Sequence, residues 1–108
     1  MIQVDIYYND QDKISGYRVS GHADSNPEGF DQVCALVSLD TQLPVLGMER
    51  VLRHKVQCAV DEADGTLEVR LEDAPNEQTE VLLKTMVCGL QELKRYYPQY
   101  LTTEEHRR

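Results

Sequence analysis

An α+β domain in ββαββα order, with a four-stranded sheet packed against two helices, is what the polarity pattern of this 108-residue chain predicts. Three observations carry that expectation. Apolar residues alternate with polar ones in four short segments, and they recur at helical spacing in two longer ones. The segments also come in two successive ββα halves with no linker between them, so residues 1–108 read as one domain.

Ile2, Val4, Ile6 and Tyr8 alternate with Gln3, Asp5 and Tyr7, the period of a half-buried strand. The polar run Asn9-Asp10-Gln11-Asp12 turns the chain, and a second strand from about Lys13 to Ser20 completes a hairpin. Gly21 to Gly29, GHADSNPEG, has no apolar period and is rich in turn formers, so it reads as a loop. Asp31 suits a helix N-cap. The helix after it places Val33, Leu36, Val37, Leu43, Leu46 and Val51 on one buried face. Pro44 removes a backbone hydrogen bond and predicts a kink or break between Asp40 and Leu43. Val56, Cys58 and Val60 alternate next, followed by the turn Ala63-Asp64-Gly65 and by Leu67, Val69 and Leu71, a second hairpin. Ala74-Pro75-Asn76 ends that strand. A helix from about Glu77 to Tyr96 follows, with Val81, Leu82, Met86, Leu90 and Leu93 as its buried stripe, and Pro98 stops it. From about residue 99 a flexible tail is expected.

Nineteen acidic residues against eleven basic give a net charge of −8. Phosphate contacts need clustered Lys and Arg, so direct nucleic-acid binding is not expected, and a basic partner is favoured instead. No stretch is long and apolar enough for a bilayer span, the first residues do not resemble a signal peptide, and no membrane association is expected. Cys34, Cys58 and Cys88 are odd in number and widely spaced, which fits reduced thiols and a cytoplasmic location.

Chemistry concentrates between Gly21 and Ser38. With Asp31 as N-cap, Cys34 is the third helical residue, near unsatisfied backbone N–H groups and the positive end of the helix dipole. That setting favours thiolate, the nucleophilic form. His22, on the preceding loop, could take the proton and return it to a leaving amine, and the helix N–H groups could hold an oxyanion. No cofactor and no metal is required. A cysteine within Val-Cys-Ala-Leu-Val can instead be core packing, and a loop histidine can be idle, so spacing alone leaves both readings open.

Gly21-His22-Ala23, followed by G-F-D-Q-V-C-A-L-V-S from Gly29 to Ser38, resembles the signature of the ribosomal-processing cysteine protease family, Prp. Gly29, Asp31, Val33, Cys34, Ala35 and Ser38 match its helix motif, and length and element order are similar over essentially the whole chain. Gln32, Leu36, Asp40 and Pro44 depart from it and bear on helix packing. The resemblance implies a Cys34–His22 dyad, a homodimer, and removal of the N-terminal extension of a bacterial large-subunit ribosomal protein.

Supporting roles are expected of Asp31, as an N-cap that could also orient His22, and of Ser38, one turn after Cys34 on the same helix face. Ser38 could equally bond back to its own helix. Gly21 and Gly29 are expected as hinges, with ordinary turn glycine as the alternative. Asn26 is disfavoured as a third triad member. Cys58 and Cys88 are expected to pack in the core. The loop from Ala23 to Glu28 offers little to bury and is expected to be mobile until substrate orders it. Two rivals stand beside the protease. One is a metal site from His22, Cys34, His54 and Cys58, which lacks the paired spacing of structural zinc sites. The other is a non-enzymatic α+β adaptor gripping a basic partner.

Overall fold

The computed structural model describes residues 1–22 and 32–107. Seven elements follow in order: β1 (Ile2–Tyr8), β2 (Ile14–Ser20), α1 (Gln32–Leu46), β3 (Val56–Asp61), β4 (Thr66–Leu71), α2 (Glu77–Tyr96) and β5 (Leu101–His106). The sheet runs β3-β4-β2-β1-β5, antiparallel throughout except that β5 lies parallel to β1. It therefore has five strands rather than four. The flexible tail expected from about residue 99 is corrected to a paired strand as far as His106.

The alternation in β1 works as its polarity dictates. Ile2, Val4, Ile6 and Tyr8 are buried against the helices with Ile14, Tyr17 and Val19 of β2 and Leu67, Val69 and Leu71 of β4. Each such side chain contributes roughly 1.5–3 kcal/mol of burial. Tyr17, fully buried, satisfies its hydroxyl by donating to the Thr41 carbonyl on α1. Glu80 is buried at the opposite end of the sheet, where its carboxylate accepts the Ile14 N–H at 2.7 Å. These bonds tie each helix to β2.

Helix α2 starts where Asn76 and Thr79 cap each other reciprocally, worth about 1 kcal/mol, and its span agrees with the periodicity. Its buried stripe is Thr79, Glu80, Leu83, Met86 and Leu90, while Val81 is exposed and Leu82 half-buried. The stripe is rotated from the expected one because the seven apolar residues between Val81 and Leu93 cover more than one face. In α1, Val33, Val37, Thr41, Pro44 and Val45 are buried, whereas Leu43, Leu46 and Val51 are exposed. Pro44 does not break α1, which continues to Leu46 and then widens into a single π turn, Gly47–Val51. The widening falls just after the turn from which proline withholds its N–H. Among the described residues, no helix is long and apolar enough to cross a membrane.

Strand β5 is held along its length. Leu101 is 2% exposed, Lys94 Nζ donates to Thr103 Oγ1, the Tyr8 hydroxyl donates to Glu105, and His106 Nε2 meets Asp5 Oδ1 at 2.9 Å. The register brings the start of β1, the end of β2, the β3–β4 turn and the start of β5 to one end of the sheet. His22 and Ser38 stand at that end.

Candidate active site

Gly21 ends β2 at φ +84°, a left-handed conformation that favours glycine, and a Cβ there would collide with the Met1 carbonyl oxygen. The residue expected as a hinge is thus a tightly packed exit from the sheet. It hands the chain directly to His22, which is exposed.

The His22 ring does not hang in solvent. It lies across Gly65, the last residue of the β3–β4 turn, at φ +67°. A Cβ at position 65 would come 2.7 Å from Cε1 and 2.9 Å from Nε2 of that ring. The turn beneath is organised by Asp61, whose Oδ1 accepts the N–H groups of Ala63 (3.1 Å) and Asp64 (3.2 Å). Ala63-Asp64-Gly65 is legible in the sequence as a turn, but nothing there says that its glycine faces the histidine.

Cys34 is the third residue of α1, half-buried and packed against the core. Its position in the first turn sets it among N–H groups that have no partner within the helix. Ser38 is exposed one turn further on. It lines a cleft of about 250 Å³ together with Val19, Thr41, Asp61, Glu62 and Gly65. One wall of this cleft is the helix that carries Cys34. The opposite wall is the turn on which the His22 ring rests. Asp61 and Glu62 make that turn side acidic.

Gly29, Asp31, Asn26 and the loop from Ala23 to Glu28 lie outside the described residues. Of the other expected site residues, Gly21, His22 and Ser38 border the sheet end just described. Cys58 and Cys88 are exposed, against the expectation of core packing. Cys58 sits on β3, an edge strand at the border of what the helices cover. Partial shielding of its sulfur, together with the charge of Glu49, pushes the thiol above its ordinary range, which disfavours thiolate. His54 is buried with Nε2 3.0 Å from the Asp73 carbonyl. Among the described residues, the one close cluster of metal-ligand type is Asp5, Glu104 and His106, a different set from the rival quartet.

A thiol in the first turn of α1, an imidazole resting on the β3–β4 turn, and a cleft between that helix and that turn are groups a cysteine hydrolase could use. Residues 1–102 match the family model of the cysteine protease Prp, and the chain belongs to that family. It is a cysteine protease by that membership. The ribosomal processing cysteine protease Prp of Staphylococcus aureus is 31% identical over 97 residues, 90% of this chain and 92% of that protein. The crystal structure of the essential S. aureus protease with a covalently linked product peptide matches with a TM-score of 0.90 at 28% identity, covering 98% of this chain and all of that one. The same protease with a substrate peptide matches at 0.87 and 27%, again over 98% and 100%. A Streptococcus mutans protein matches at 0.87 and 26%, over 100% of this chain and 96% of that one.

Proposed function

We propose that this protease removes the N-terminal extension of a bacterial large-subunit ribosomal protein, with Cys34 as nucleophile and His22 as general base. The observation that carries the reading is the cleft itself, walled by the helix of Cys34 and by the turn that seats His22. The S. aureus relative is a ribosomal processing protease whose structures hold substrate and product peptides. A net charge of −8 and the acidic pair Asp61 and Glu62 suit a basic ribosomal substrate.

In the reaction, His22 takes the Cys34 proton and the sulfur attacks the scissile carbonyl. Backbone N–H groups of the first turn of α1 stabilise the oxyanion. The C–N bond breaks as His22 returns the proton to the leaving amine. Water, deprotonated by His22, then releases the acyl group and restores the thiol. Every proton moves between residues of the chain, water and substrate, without metal or cofactor. Ser38 is a polar contact at the groove in this reading.

The reading includes a cytoplasmic homodimer with no nucleic-acid or membrane contact. Leu43 (58% exposed), Leu46 (41%) and Val51 (78%) line an apolar groove of about 360 Å³ with Leu82 and Met86, a surface suited to self-association.

Cleavage of a peptide copying such an extension tests the proposal. Cys34→Ala should abolish turnover with the fold intact by circular dichroism, and His22→Ala should cost about 10² to 10⁴ in rate. Wild-type turnover by Cys34→Ala, or a loss below about threefold for His22→Ala, removes the respective role.

A further inference from the structure

Gly65 meets two separate constraints. Its φ of +67° lies where most side chains are strained, but asparagine tolerates that region. The space above its Cα is a different matter, because the His22 ring occupies it: even a single methyl group would overlap Cε1 and Nε2 at 2.7 and 2.9 Å. Asparagine satisfies the first constraint and fails the second. The contact is also unyielding on one side. The Gly65 Cα belongs to a turn closed by Asp61, so the ring is the side that must move, and Gly21, packed against Met1, fixes where the His22 backbone begins.

We propose that Gly65 is a positioning residue for the general base, a bare backbone platform that sets the height and tilt of the His22 imidazole over the cleft. The inference rests on His22 being the base. A larger residue at 65 displaces the ring from the turn and changes its distance from the wall that carries Cys34. Proton transfer needs hydrogen-bond reach, and displacing a catalytic group by about 1 Å can cost about 10²-fold. Substrate affinity comes from the rest of the groove, so the loss falls on kcat rather than KM.

The test compares Gly65→Ala, Gly65→Asn, Asp64→Ala and His22→Ala by peptide turnover and by the Cε1–H NMR resonance of His22, each well below its melting temperature. Gly65→Ala and Gly65→Asn should both lower kcat about 10²-fold with KM within about twofold, and both should move the His22 resonance. Gly65→Asn should melt closer to wild type than Gly65→Ala, since it tolerates the turn. Asp64→Ala, in the same turn, should leave kcat and resonance unchanged. Wild-type kcat and an unmoved resonance in Gly65→Asn overturn the proposal, because the glycine then serves the turn alone. Inactive His22→Ala beside fully active Gly65→Ala overturns it while leaving the base in place. Fully active His22→Ala overturns both.

Discussion

The carboxylate of Asp40 on α1 lies against the bare Cα of Gly89 on α2, so close that a Cβ at position 89 would sit 2.9 Å from its Cγ. Among the described residues the Oδ2 atom is buried with no hydrogen-bond partner, and burial pushes the Asp40 carboxyl up to about 6 from an ordinary 3.8. Between about pH 4 and 6 the folded state therefore holds a proton that the unfolded chain has already lost. Whatever stability this gives is fully present below about pH 4 and is lost as pH rises through about 6. Asp40→Asn should remove that loss: its melting temperature should exceed wild type at pH 7.5, by about 4–8 °C per kcal/mol gained, and the difference should shrink towards pH 4. Equal melting at both pH values would mean the carboxylate is better solvated than its contacts indicate.

Thiol chemistry tests which cysteine is the nucleophile. Iodoacetamide at neutral pH should modify Cys34 first, ahead of exposed Cys88 and ahead of Cys58, whose thiol is pushed upward. Mass spectrometry of the digested protein reads the order. Modification led by Cys58 or Cys88 would remove Cys34 as the nucleophile.

Strand β5 is integral to the core, and Leu101 is its anchor. Leu101→Ala should cost about 2–5 kcal/mol in urea unfolding, whereas Glu104→Ala, on the exposed part of the strand, should stay within about 0.5 kcal/mol. A neutral Leu101→Ala would return this segment to the status of a tail.

The proposed homodimer would use the apolar groove between α1 and α2. Sedimentation at micromolar concentration should give a dimer mass for wild type and a monomer mass for Leu43→Glu. A wild-type monomer contradicts the dimer, and a dimeric Leu43→Glu moves it to another surface.

How much of this was legible beforehand depended on how local each signal was. Ile2, Val4, Ile6 and Tyr8 declare β1 because each neighbour in the pattern points the other way. The limits of α2 could be read from Asn76 and Pro98, local residues that start and stop a helix. The phase of its buried stripe could not, since Val81 and Leu83 differ only in what packs beside them. Leu101 to His106 escaped notice because an edge strand is covered on one side only and tolerates Glu104, Glu105 and His106. Cys58 read as core from alternation, yet β3 lies at the sheet border, where one face of a strand goes uncovered. In the site, Gly21, His22, Cys34 and Ser38 stood out as a motif. Gly65 did not, because its meaning depends on a contact with a residue far away in the chain.

The parallel pairing of β5 with β1 bears on how the protein is handled. Both strands begin at the same end, so Met1 lies beside Gly21, one residue from His22, while Arg107 lies at the opposite end on the Tyr8 ring and against Asp12. Strands of this length separate the two ends by roughly 20 Å. An affinity handle joined to Met1 emerges next to the histidine and competes with substrate for the groove. A handle at the other end of the chain follows Arg107, a full strand length away, so assays and crystals are best made with the carboxyl-terminal fusion.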